Sequence, residues 1–265
     1  MYAFRYHRAT AIGDALTRLG ESEDGRFLAG GQTLLAAMKL RLSAPSDLVD
    51  LGAIAELRGV CVDGHHVVVG ATTTHAAVAE SDEVQLRIPA LARLAAGIGD
   101  RMVRNAGTLG GSIANNDPAA DYPAAALALG ATINTHRRRI AADDFFTGLY
   151  ETALDPGELV TSVSFPVPRQ AGYAKFPNPA SRYALVGVFV ARFDTGVRVA
   201  VTGAGPGVFR VPAMEQALTA SFSPEVAVAV QVAPDDLSGD MHASPEYRAH
   251  LVSVMAGRAV AQALS

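Results

Sequence analysis

Two glycine pairs, each set beside an apolar run and a helical pattern, constrain this chain more than any other feature of it. The first stands in Ala29-Gly30-Gly31-Gln32-Thr33-Leu34, the second in Thr108-Leu109-Gly110-Gly111-Ser112. Adjacent glycines allow a sharp turn and let a ligand come close to bare amides. The helical pattern after the first pair opens with amides that lack intrahelical partners and with the positive end of a dipole, which suits a phosphate. Neither the G-x-G-x-x-G dinucleotide fingerprint nor G-x-x-x-x-G-K-[ST] occurs. Taken alone, the first pair is equally a structural tight turn. The second lies in Asn105–Asp121, where three glycines, two hydroxyls and three side-chain amides precede a helix. Such a stretch can wrap a phosphate with backbone N–H groups. Asp121 is placed to accept hydrogen bonds from ribityl or ribose hydroxyls, or else to cap the helix before Pro123.

Around these pairs the pattern reads as three units. Residues 1–55 alternate helix and strand: a helix capped by Thr10 with Ile12, Ala15, Leu16 and Leu19 on one face, and a strand over Arg26–Ala29. A second helix with Leu34, Leu35, Met38 and Leu42 on its buried side follows, then a strand over Ser46–Leu51. This predicts a small parallel α/β unit. Residues 56–168 read as α+β, with a strand at His65–Gly70, a helix between Pro89 and Ala96 and an Ala-rich helix ended by Gly130. Further strands are expected over Thr132–Ile140 and Leu159–Phe165. Pro166 to Gly172 is the best linker candidate. Residues 173–265 form a third unit, with a hairpin of Tyr183–Phe193 and Val197–Thr202 about Asp194-Thr195-Gly196. A closing helix opens at Ser244-Pro245-Glu246 and runs through Leu251, Val254, Met255 and Ala259.

Composition narrows the function. The 265 residues are long enough to bury a core without disulfides. Net charge is −4, which argues against a nucleic-acid binder. The one cysteine, Cys61, sits in an apolar stretch and is expected to be buried or half-buried. A lone cysteine holds neither an internal disulfide nor an iron–sulfur cluster, so a reducing compartment is expected. No secretory leader and no apolar segment of about 20 residues is evident, which predicts a soluble, cytoplasmic protein, the inner face of the membrane included. Twenty of the 22 basic residues are Arg, leaving Lys39 and Lys175 as the two lysines.

AGGQTLLAAMKLRL, followed by RNAGTLGGSIANNDPAADYPAAALAL and then by Lys175-x7-Tyr183, resembles the FAD-binding medium subunit of the molybdenum hydroxylases, in particular that of the carbon monoxide dehydrogenase group. The FAD region of xanthine dehydrogenase is more distantly similar. The resemblance covers essentially the whole chain. It implies an α+β protein: a two-subdomain FAD-binding fold of the vanillyl-alcohol oxidase / p-cresol methylhydroxylase type, plus a C-terminal α+β domain with a small antiparallel sheet. It implies a first phosphate loop at Ala29, Gly30, Gly31, Gln32 and Thr33, and a second at Thr108, Leu109, Gly110, Gly111 and Ser112 with Asn115 beside it. It further implies Asp121 on the ribityl chain, Ile98 packed near the flavin, and Leu159 or Val160 where backbone meets the adenine or ring. Lys175 and Tyr183 fall where the family approaches the isoalloxazine. Thr33 for Ser, Leu109 for Ile and Ser112 for Asn depart from the commonest pattern while keeping a hydroxyl or an apolar shape; Ser112 puts one contact in doubt.

The cofactor supplies the redox chemistry and the protein its orientation and electrostatics. A free cation at Lys175 would favour the anionic reduced ring, whereas a solvated lysine would do nothing; Tyr183 is either a gate at the ring or a core aromatic. The resemblance places molybdopterin on a large partner subunit and two 2Fe–2S clusters on a small one, in a dimer of heterotrimers, with an external electron acceptor and no metal on this chain. The alternative is a free-standing FAD-dependent oxidase or dehydrogenase of the same fold. Asp194-Thr195-Gly196 lacks the second carboxylate an aspartic protease needs and reads as a hairpin turn. His65, His66 and His75 read as surface or turn residues, His65 and His66 on opposite faces of one strand, and Arg137-Arg138-Arg139 as a solvated strand end.

Overall fold

The computed structural model describes all 265 residues. In the first unit β1 (Arg5–Arg8), β2 (Gly25–Leu28) and β3 (Asp47–Asp50) form a parallel sheet in the order β1-β3-β2. The connections run through α1 (Ile12–Gly20) and α2 (Leu34–Lys39). Thr10 is not the cap of α1; Ala11 holds that position with no side-chain bond. The second helix is shorter than its apolar pattern predicts. It ends at Lys39, Arg41 takes φ 63°, and Leu42 is left exposed rather than buried.

The second unit carries a five-stranded antiparallel sheet in the order β4-β5-β10-β6-β7. Its strands are β4 (Val60–Asp63), β5 (His66–Gly70), β6 (Thr132–Thr135), β7 (Arg139–Ala141) and β10 (Val160–Pro166). A two-stranded ribbon, β8 (Phe146–Gly148) with β9 (Glu151–Thr152), lies apart from it. Helices α3 (His75–Glu80), α4 (Asp82–Arg87), α5 (Pro89–Ala96), α6 (Arg101–Ala106), α7 (Leu109–Asn115), α8 (Tyr122–Leu129) and α9 (Ala142–Phe145) fill the rest. The strand expected over Thr132–Ile140 is thus two strands joined by a turn at residues 136–138. Cys61 is exposed on the edge strand β4, not buried, because its two apolar neighbours face the other way. His65 lies in the turn before β5 rather than in the strand.

In the third unit β11 (Gln170–Pro177), β12 (Ala184–Phe193), β13 (Gly196–Thr202) and β14 (Phe209–Arg210) form a meander. The linker candidate is therefore mostly strand: β10 runs through Pro166, β11 begins at Gln170, and three residues join them. Helices α10 (Pro212–Ala220), α11 (Pro224–Ala229) and α12 (Pro245–Leu264) cover one face of this sheet. Ser244 caps α12 by accepting from the Tyr247 amide at 3.3 Å. The other face packs on the second unit: Tyr173, Phe189, Ala191 and Ala200 share a core with Val69, Leu91, Leu129 and Val163. The β12–β13 sheet is consequently held against α8 by apolar burial.

One carboxylate ties β1 to β3 of the parallel sheet. Asp47 is 1% exposed and accepts from Arg5 at 2.9 Å, His7 Nε2 at 2.7 Å and Ser46 at 2.7 Å. The bonds from Arg5, His7 and Ser46 hold its carboxyl well below the usual carboxylate range. A carboxyl lowered in the folded state adds stability above its unfolded value of about 4, and loses it as pH falls through the folded value. Asp47→Asn is expected to lower the melting temperature at pH 7, with the gap from the parent closing as pH falls below about 4. A gap that stays constant in a pH series of thermal melts would refute this account.

Candidate cofactor site

A cavity of about 710 Å3 opens where the parallel sheet meets the helices of the second unit. That volume lies within the range of small-molecule and cofactor sites, roughly 300–1,000 Å3. The two glycine segments form adjoining walls. A Cβ at Gly30 would strike the Ala106 carbonyl and lie 2.7 Å from Gly107 Cα. One at Gly111 would meet Ala29 Cβ at 3.9 Å. The pairs are thus brought together, and the first makes a backbone-to-backbone contact that only glycine at position 30 permits.

Their chemistry differs. The amides of Gly30, Gly31, Gln32 and Thr33 donate to no backbone acceptor, while Gln32 Nε2 braces the loop by bonding Gly30 O at 3.0 Å. Helix α2, six residues long, adds little dipole; the bare loop amides are the donors. The second segment is not the nest its composition predicts. It is the first turn of α7, capped by Thr108, whose Oγ1 accepts from the Gly111 amide at 3.2 Å. Leu109 N donates to Thr73 O at 3.0 Å, Gly110 N to Ala71 O at 2.9 Å, and Ser112 N to Thr108 O at 3.1 Å. These amides are already committed. Thr108, Ser112 and Asn115 line the cavity, with the backbone faces of Gly110 and Gly111. Leu109 does not; its side chain is fully buried in the core.

Ile98, Asp121, Leu159, Val160 and Tyr183 also line the cavity. Leu159 has both backbone groups bonded to His136, its amide to Nδ1 at 3.1 Å and its carbonyl to the amide at 3.0 Å. What it offers a ligand is apolar surface. Tyr183, 45% exposed, stands at the mouth and is not a core aromatic. Lys175 does not line the cavity. Its Nζ pairs with Asp121 Oδ1 at 2.9 Å and donates to Gly97 O at 2.9 Å, so it is neither a solvated lysine nor a free cation. Asp121 makes no cap bond to α8. Burial pushes its carboxyl above the ordinary value, against the pull of Lys175 and Tyr173.

Several lining residues carry no motif. Glu158 is held by Arg138 at 2.8 Å, which with further bonds brings its carboxyl down to about 2. Arg138 is thereby withdrawn from the solvated run it belongs to in sequence. His75 is buried, not at the surface as expected, and lines the cavity as the first residue of α3. Its Nδ1 and the hydroxyl of Tyr122, whose ring centroid lies 5.3 Å away, are buried without partners. Burial, then the charge of Arg104, push the imidazole down to about 4. The Thr74 cap before it marks the helix start and was the available sequence signal.

An α+β chain whose two glycine pairs border one cavity of cofactor size has the architecture of the dinucleotide-cofactor proteins. Comparison with known proteins narrows the class. The family "FAD binding domain in molybdopterin dehydrogenase" matches residues 2–168, and "CO dehydrogenase flavoprotein C-terminal domain" matches residues 171–263. The chain is 38% identical to the nicotine 6-hydroxylase medium subunit of Paenarthrobacter nicotinovorans, covering 98% of this chain and 97% of that one. It is 34% identical to the carbon monoxide dehydrogenase medium chain of Hydrogenophaga pseudoflava, over 99% and 96%. The structure of carbon monoxide dehydrogenase from Hydrogenophaga pseudoflava, in a form lacking the Mo-pyranopterin moiety, superposes with a TM-score of 0.89 at 33% identity, covering 99% and 98%. The chain belongs to the family of FAD-binding medium subunits of molybdenum hydroxylases. Its cofactor is FAD, and it is an oxidoreductase subunit with the α+β fold its motifs predict. No helix is long and apolar enough to cross a membrane.

His75 gives a test of the cavity wall. A histidine lowered to about 4 in the folded state and near 6.5 unfolded contributes stability above pH 6.5 that is lost as pH falls toward 4, because the unfolded chain then binds the extra proton. The parent is expected to lose on the order of 3 kcal/mol across that window relative to His75→Gln. Parallel pH-stability slopes for the two proteins would contradict a neutral buried imidazole.

Proposed function

We propose that the chain holds FAD along this cavity and relays electrons from 2Fe–2S clusters on a small partner subunit to an external acceptor. A large molybdopterin subunit oxidises the substrate. The observation that carries the reading is the unbonded amide run Gly30–Thr33 facing the Thr108–Ser112 wall across a cavity of cofactor size. Bound FAD supplies a centre that takes up two electrons and passes them on singly or together.

The residues of this chain divide the remaining work. The Gly30–Thr33 amides receive the diphosphate, helped by the side chains of Thr108, Ser112 and Asn115. Leu159 and Val160 give the adenine an apolar bed. Asp121 accepts from the ribityl hydroxyls, Ile98 packs against the ring, and Tyr183 covers the ring at the mouth. Lys175 acts through Asp121 rather than directly on the ring. Residues 1–55 and 56–168 act as the two FAD-binding subdomains and residues 173–265 as the flavoprotein domain that closes over them. Relatives named as the medium chain of a carbon monoxide dehydrogenase and as subunit alpha of a dehydrogenase complex support the partner assignment. A dimer of heterotrimers in the cytoplasm is the assembly this implies.

Co-expression with large molybdopterin and small 2Fe–2S subunits tests the reading. The complex is expected to carry a single FAD per copy of this chain, to lose it in Gly30→Val, and to oxidise substrate only when all three subunits are present. Folded wild-type complex that takes up no FAD, or stoichiometric iron in this chain purified alone, would sink it.

A further inference from the structure

One buried side chain behind the cavity, that of Tyr173, takes no part in the ligand contacts assigned above. Tyr173 and Lys175 are two residues apart on β11 and share a face, as strand alternation requires. Both reach Asp121 at the entry to α8. The hydroxyl of Tyr173, 7% exposed, bonds Asp121 Oδ1, and Lys175 Nζ lies 2.9 Å from the same oxygen. Two donors thus converge on Oδ1 from the side of the C-terminal sheet. Asp121 Oδ2 takes no hydrogen bond from them and is not among the buried polar atoms without a partner, and Asp121 lines the cavity.

An independent feature points to the same atoms. Gly187 lies in the middle of β12, directly opposite Lys175. A glycine inside a long strand weakens it unless another group needs the space. Here a Cβ would stand 2.5 Å from the Tyr173 hydroxyl and 2.9 Å from Thr202 Cγ2. The missing side chain is the space that admits the phenol to Asp121. Tyr173 otherwise packs as a core aromatic beside Phe189, with ring centroids 6.0 Å apart. A phenylalanine would serve that packing equally well, so packing leaves the hydroxyl unexplained.

We propose that Tyr173 is a positioning residue which, with Lys175, pins Oδ1 of Asp121 so that Oδ2 faces the cavity as the acceptor for a polyhydroxy chain, and that Gly187 is the void this requires. The inference rests on the FAD reading, in which the polyhydroxy chain is the ribityl group. A carboxylate fixed through one oxygen presents the other in a single orientation, so its bonds to vicinal hydroxyls form without first ordering the side chain.

The complex assembled with its partner subunits, stripped of FAD, is titrated separately with FAD and with ADP, which has the diphosphate and adenosine but no ribityl chain. Tyr173→Phe is expected to weaken FAD about tenfold or more and to leave ADP unchanged. Gly187→Ala, which displaces the phenol while keeping it, is expected to give the same pattern. On an Asp121→Asn background Tyr173→Phe should add nothing. Equal weakening of FAD and ADP, undiminished FAD affinity in both variants, or full additivity with Asp121→Asn overturns the proposal. Wild-type complex that binds FAD with no measurable affinity refutes the flavin reading instead, so the two failures are distinct.

Discussion

The close approach of two backbones, Gly30 against Ala106–Gly107, is the contact on which the arrangement of the site depends. It joins the parallel sheet to the helical layer of the second unit without any side chain between them, so the cavity is formed by main chain on two sides. Any Cβ at position 30 would have to displace a carbonyl that belongs to helix α6. The two glycine pairs consequently do different jobs. The first lies outside any helix or strand, so its amides are unclaimed. The second begins α7, and its amides are satisfied by the Ala71 carbonyl and the Thr108 hydroxyl, which makes it a fixed wall. Gly110 is part of that wall because a Cβ there would meet Ala71 Cβ at 2.5 Å. One segment supplies donors and the other holds the shape they act across.

The charged groups around the cavity follow from the same economy of space. A buried carboxylate needs a partner or strong hydrogen bonds, and each of the two here has them: Asp121 with Lys175 and Tyr173, Glu158 with Arg138 and Thr135. Lys175 is thereby removed from the role of a free cation at a redox centre. Its charge is balanced at 2.9 Å by Asp121, and what reaches the cavity is the remaining oxygen of that carboxylate. The influence of Lys175 on a ligand is indirect.

Much of this was legible in the sequence, for reasons particular to certain residues. The glycine pairs announce backbone contacts, and Asp121 sits in a run of small polar residues ahead of a helix. The Tyr183 to Thr202 hairpin and the Ser244-Pro245 helix start carry their own turn and cap chemistry. Apart from α5, the helices between residues 75 and 115 were not legible, because six- or seven-residue helices lack room for a 3.6 period to establish itself. Their caps were visible nonetheless: Thr74, Ser81, Asp100 and Thr108 each accept from an amide three residues on. Strand β11 was hidden by the Pro/Gly-rich run before it. Its register, which puts Tyr173 and Lys175 on the Asp121 side, is set by pairing with β12 and by burial against the second unit's core. Leu42 and Leu109 were misplaced for opposite reasons. The early end of α2 leaves Leu42 exposed, whereas the start of α7 turns Leu109 inward.

Gly107 and Gly187 extend the backbone theme to the polar interior. A Cβ at Gly107 would lie 2.6 Å from His75 Nε2, as one at Gly187 would lie 2.5 Å from the Tyr173 hydroxyl. In both places a side chain is omitted so that a ring group can stand beside the cavity. His75 is there as a neutral imidazole, since burial and Arg104 oppose its proton. The lining arginines are also engaged: Arg26 lies 3.3 Å from Asp24, and Arg182 donates to Gly99 O at 3.2 Å. A diphosphate entering this site therefore meets amide dipoles fixed by the fold more than mobile cations. Dipoles already held in place require little reorganisation when the anion arrives, and that advantage lasts only while Gly30 keeps the two main chains in contact.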